Sequence, residues 1–83
     1  SGVSLHRSGD GTVLAVARAT YVKWESWLRK LLQYVAAAPG LPPRGECFQM
    51  VLLVFEHGTP VNESDRELLS NALALAGVTC LWA

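Results

Sequence analysis

Eighty-three residues make one domain, expected over 1–83, and a chain of this size buries only roughly 60 to 65% of the surface its unfolded form exposes. With 51% hydrophobic and 17% charged residues it is apolar-rich against a usual charged share near about 25%, yet no apolar run is long enough for a membrane-spanning helix. The net charge of zero hides a dipole: Arg7, Arg18, Lys23, Arg29, Lys30 and Arg44 against Asp10 and Glu25 make the first 44 residues +4, and Glu46, Glu56, Glu63, Asp65 and Glu67 against Arg66 balance it, a scatter that falls short of the clustered basic face of an autonomous nucleic-acid binder.

The chain opens as a β-hairpin. Residues 3–7 and 12–18 flank Ser8-Gly9-Asp10-Gly11, whose Asp-Gly pair supplies the positive φ angles of a tight turn. The alanine-rich second strand reads almost as well as the start of a helix. From Tyr21 the period changes to 3.6, and Tyr21, Trp24, Leu28, Leu31, Leu32 and Val35 fall in one arc, which predicts a helix over 21–38 with Thr20 as its N-cap. Trp27 and Tyr34 lie at the margin of that arc beside Lys23 and Lys30, and Val22 is stranded among polar neighbours. Pro39-Gly40-Leu41-Pro42-Pro43-Arg44-Gly45 then ends the helix in a stiff connector.

Residues 47–55, Cys-Phe-Gln-Met-Val-Leu-Leu-Val-Phe, form a nearly unbroken apolar run of strand length, the pattern of a strand covered on both faces. After the Glu56-His57-Gly58-Thr59-Pro60 turn, Ser64 and Glu67 have the spacing of a capping box opening a second helix. Leu68, Leu69, Ala72, Leu73, Leu75 and Ala76 are expected to share its buried face, with Gly77 as the C-terminal cap. Residues 78–82 make the last strand. The order is ββαβαβ: a small α/β domain, an N-terminal hairpin followed by two strand-helix-strand units, with a four-stranded mostly parallel sheet and the first strand antiparallel at an edge.

This organisation raises a question of burial. If the strands run in sequential order, both helices fall on one side of the sheet and the other side is bare. Yet Phe48, Met50, Leu52 and Val54 point one way along the third strand, and Val51, Leu53 and Phe55 the other. Leaving one set in water forgoes roughly 1.5 to 3 kcal/mol per large side chain. Either the strand order changes so that the helices cover opposite faces, or a partner does the covering. Two sheet edges also invite pairing, and a chain ending on a strand suggests a fragment of a larger protein.

Several residues are candidates for chemistry or binding. Glu56, His57 and Thr59 follow the carboxyl end of the central strand, where open α/β sheets place ligands, and a carboxylate with an imidazole could form an acid/base pair. Adjacent strand residues point to opposite faces, so Glu56 and His57 do not naturally converge, and a solvated polar loop is the plainer reading. Trp27, Lys30 and Tyr34 form an aromatic and basic strip suited to anchoring a protein partner; the same residues also serve as core-edge aromatics. Trp82 is similarly ambiguous. Cys47 and Cys80, the only cysteines, sit in apolar runs without metal-ligand spacing and are expected to behave as small buried hydrophobes. His6 and Arg7, before the hairpin turn, are expected at the surface.

No nucleophile elbow, phosphate-binding loop, GxGxxG or HExxH motif is present. The expectation is therefore a non-catalytic assembly domain of a larger protein or complex, meeting a protein partner or a further copy of itself through an apolar sheet face, an edge strand or the Trp27/Tyr34 strip, with no cofactor and no metal. Two alternatives stand beside it: a small-ligand or enzymatic domain using the Glu56–Thr59 turn, and a nucleic-acid accessory domain using Lys23, Arg29 and Lys30. An intracellular, reducing location is expected, cytoplasmic or nuclear. Asn62-Glu63-Ser64 is a formal glycosylation acceptor that would matter only in a secreted chain, and no secretory leader is legible.

Overall fold

The Asp10-Gly11 turn closes the first hairpin in the computed structural model, which describes residues 2–42 and 47–83. Gly11 takes φ +90°, Asp10 accepts hydrogen bonds from the Ser8 hydroxyl and, at 2.9 Å, from the Thr12 amide, and the Ser8 amide donates to the Thr12 carbonyl at 2.9 Å. The strands it joins are β1 (Val3–Arg7) and β2 (Val13–Thr20). A single 3-10 turn, Tyr21–Lys23, leads into α1 (Trp24–Ala37); β3 (Phe48–Phe55), α2 (Glu63–Leu75) and β4 (Val78–Trp82) follow. Residues 43–45 of the expected connector, and Glu46 after it, lie outside the described residues.

This is the expected α/β fold, a four-stranded sheet with two helices. The strand order is β1-β2-β3-β4, with β1 antiparallel to β2 and the two remaining pairs parallel. Both helices pack on one side. Leu31 of α1 and Leu69 and Leu73 of α2 share a single core cluster with Val13, Ala15, Ala17 and Ala19 of β2, Phe48, Met50, Leu52 and Val54 of β3, and Val78 of β4. These strand residues alternate along each strand, as the two-residue pleat requires. The small alanines of β2 leave room for α1, whose aromatic residues Trp24 and Trp27 pack against the same cluster.

Several local expectations need correction. Thr20 is extended just ahead of the 3-10 turn, but its side chain makes no capping hydrogen bond. The cap of α2 is Asn62, not Ser64: the Asn62 side chain accepts from the Asp65 amide at 2.8 Å, and the helix begins at Glu63. Cys47 precedes β3 and is exposed, because the strand starts one residue later than the apolar run; Cys80 is half-buried.

The buried faces of the helices are also narrower and differently turned than their apolar arcs. In α1 the pivot is Leu31, while Leu32 lies at the surface and Trp27 takes a place against the core. In α2 only Leu69 and Leu73 are buried; Leu68 and Leu75 are 69% and 92% exposed. Gly77, at φ +78°, ends α2 as expected.

Candidate functional site

The turn after β3 is built around an ion pair. Glu56 lies against Arg66 of α2, ten residues on, and also accepts the Val61 amide at 3.2 Å. Arg66 in turn donates from Nε to the Val61 carbonyl at 3.3 Å, and its guanidinium carbon sits 4.6 Å from the centre of the Trp82 ring, within cation-π range. The Arg66 guanidinium, and after it the Val61 amide, hold the Glu56 carboxyl below the usual glutamate range. Both contacts fall on Oε1, and the carboxylate thereby braces the turn against α2.

His57 is exposed on the other side of the same turn. It lines a cavity of about 310 Å³ together with Thr59, Tyr21, Val22, Asn62 and Asp65. Of the three candidate ligand residues, the fold thus brings His57 and Thr59 to one recess and gives Glu56 a separate task. Among the described residues, no three His, Cys, Asp or Glu side chains gather as a metal ion would require, and no helix is long and apolar enough to cross a membrane.

The aromatic candidates are largely engaged within the chain. Trp27 is packed so closely on Gly2 that a Cβ there would lie 2.4 Å from the indole, and Lys30 Nζ stands 4.2 Å above the Trp27 ring. Tyr34 is half-buried on the same helix. Trp82, at the far edge of the sheet, donates from Nε1 to Ser70 Oγ at 3.2 Å and lies 6.1 Å from Tyr21, ring centre to ring centre. The fold does not unite Trp27, Lys30 and Tyr34 with Trp82 in one surface.

The side of the sheet away from the helices carries a different set of residues. Cα pairing sets Leu14 beside His6 and Gln49, Val16 between Ser4 and Val51, and Leu53 between Arg18 and Leu81; Thr20 pairs with Phe55, and Val51 with Thr79. Six apolar side chains, Leu14, Val16, Val51, Leu53, Phe55 and Leu81, therefore form a continuous strip. Around them stand Ser4, His6, Gln49, Thr79, Thr20 and Arg18. Val51 is buried, Leu14, Val16, Leu53 and Phe55 are half-buried, and Leu81 is 50% exposed.

An apolar centre within a polar margin is the anatomy of a protein interface. Arg18 is exposed and makes no ion pair among the described residues, and no Asp or Glu is among the strand residues on this side of the sheet. The two-sided apolar pattern of β3 points to this surface from sequence. Leu14, Val16, Arg18 and Leu81 join it only through the pairing register, although the alternation of Leu14 and Val16 with the small alanines of β2 carries the signal. No family model, curated protein or solved structure matches the chain.

Proposed function

We propose that this chain is a non-catalytic assembly domain whose working surface is the open side of its sheet. The observation that carries the reading is the one-sided helix packing: sequential strand order leaves six apolar side chains of β2, β3 and β4 without a layer above them. Covering them is worth burial in any complex that forms there, while the surrounding polar residues keep the free surface wettable. The engagement of Glu56 by Arg66 supports a non-enzymatic role for the turn. The thiols of Cys47 and Cys80 are free, which fits the reducing interior of a cell.

A photo-crosslinking amino acid in place of Leu53 tests the reading, with Gln33 on the exposed face of α1 as the control position. The Leu53 probe is expected to capture a protein, a further copy of the chain included, and Arg18→Glu is expected to reduce that capture while Lys23→Glu leaves it unchanged. Equal yields from the two probe positions, in the purified chain and in cell extract, would refute the proposal.

The recess beside His57 favours a second reading, a small-ligand site walled by Tyr21, Val22 and Thr59. His57→Ala and Thr59→Ala should then abolish a binding signal in a ligand screen without altering the fold. If both variants retain every signal of the parent chain, this reading fails.

A further inference from the structure

The molecule carries a second apolar surface besides the open side of the sheet. Asp65, Leu68, Ala72 and Leu75 follow one another along α2 at spacings of three, four and three residues, so they form a single stripe, and all four are exposed. At about 100° per residue the stripe lies roughly a third of a turn away from the buried pair Leu69 and Leu73. Nothing in the core of the same chain uses it. Leu68 and Leu75 are the two most exposed leucines of the described residues.

The stripe and the open sheet complement each other. The sheet surface is apolar and carries Arg18 without a carboxylate; the stripe is apolar and carries Asp65 at its amino end. From Asp65 to Leu75 the helix rises about 15 Å, long enough to cross from Arg18 on β2 to Leu81 on β4, two strand spacings or about 10 Å apart. A symmetric sheet-to-sheet dimer would offer Arg18 no acidic partner from the strands, since none of their residues on that side is Asp or Glu. The stripe belongs to the helix layer and the strip to the opposite side of the sheet, so one chain cannot bring its own two surfaces together.

We propose that the occupant of the open sheet is α2 of a second copy of this chain, docked with Leu68, Ala72 and Leu75 over Val16, Val51, Leu53 and Leu81 and with Asp65 at Arg18. This rests on the assembly reading and specifies its partner. The contact joins two different surfaces, so it propagates head to tail into a ring or a filament instead of closing as a dimer. Each copy contributes the helical layer that its neighbour's sheet lacks.

Sedimentation and light scattering over a concentration series test the arrangement, using the wild-type chain, a sheet variant Leu53→Glu and a helix variant Leu68→Lys/Leu75→Lys. The substituted positions lie at the surface or on the open side, and far-UV circular dichroism checks that the fold is kept. Wild type is expected to grow beyond a dimer, or to a closed ring, with rising concentration. Each variant alone is expected to stay monomeric, and an equimolar mixture of the two to form a one-to-one dimer, because each retains the surface that the other has lost.

Arg18→Asp or Asp65→Arg alone should weaken association by at least about tenfold, as close charge pairs at interfaces do, and the two together in one chain should restore it. Failure of the mixture to dimerise, or a helix variant that still associates alone, overturns the proposal. A wild type that remains monomeric overturns it as well. In that case capture of a different protein by the Leu53 probe leaves the assembly reading standing, whereas no capture removes both.

Discussion

Two leucines two residues apart on α2 should respond very differently to truncation. Leu73 is 1% exposed and belongs to the core cluster; Leu75 is 92% exposed. Leu73→Ala removes fully buried methyl groups and leaves a cavity beneath the helix, a change that costs about 2 to 5 kcal/mol. For a chain of this length, total stability at roughly 0.05 to 0.15 kcal/mol per residue is about 4 to 12 kcal/mol, so the variant forfeits a large share of it.

With an unfolding entropy near 2.1 cal/mol/K per residue, a loss of about 3 kcal/mol lowers Tm by roughly 15 to 20 °C. Leu75→Ala gives up almost no burial, and alanine is the slightly better helix former, so its effect stays within about 0.5 kcal/mol and roughly 3 °C. Urea unfolding followed by circular dichroism at low micromolar concentration, where self-association contributes little, separates the two. A loss above about 1 kcal/mol for Leu75→Ala, or a smaller loss for Leu73→Ala than for Leu75→Ala, would refute the orientation assigned to α2 and with it the exposed stripe.

Three further outcomes are expected. Because the folded-state pKa of Glu56 is depressed by Arg66 and then by the Val61 amide, its contribution is full above the unfolded pKa and is lost as pH falls through the folded value; wild type should therefore lose more stability than Glu56→Gln between neutral pH and about pH 3, and parallel urea midpoints for the two would contradict the brace. Asp10, lowered from 3.8 to about 2 by the Ser8 hydroxyl and the Thr12 amide, adds the same acid dependence to both proteins as pH falls from its unfolded value through its folded one. Asn62→Ala should cost about 1 kcal/mol as the loss of a helix cap while Ser64→Ala costs little, and the reverse order in thermal melts would return the cap to Ser64. An aromatic disulfide reagent at about pH 8 should modify one thiol per chain rapidly, since Cys47 is exposed whereas burial raises the Cys80 thiol; Cys47→Ser should abolish the fast phase, and persistence of that phase would be contrary.

Element type and order were legible because the relevant signals are local. The Asp10-Gly11 turn, the change of period at Tyr21 and the unbroken apolar run ending at Phe55 each depend on residues close in sequence. Strand order is not local, and the same ββαβαβ pattern fits a sheet roofed on both sides. Periodicity puts Leu68 and Leu75 in the buried arc of α2 because it reports apolar residues without reporting which of them meet a neighbour. The task of Glu56 was hidden because it depends on Arg66, one turn into the next helix. The cap moved from Ser64 to Asn62 because both residue types can cap, and the choice falls to how the turn delivers the chain to the helix. The open side of the sheet was half legible: β3 showed it, while Arg18 and Leu81 required the pairing register to join it.

The column of alanines in β2 has a consequence for how the chain reaches this fold. Ala15, Ala17 and Ala19 have low intrinsic preference for a strand and high preference for a helix, so at these three positions, between the β-branched Val13, Val16 and Thr20, the extended conformation comes from pairing with β1 and β3 on either flank. In the unfolded chain this segment has little reason to be straight. It becomes so only when the hairpin turn and the hydrophobic third strand recruit it together, which makes the second strand an integrator of the sheet, ordered by agreement between its neighbours.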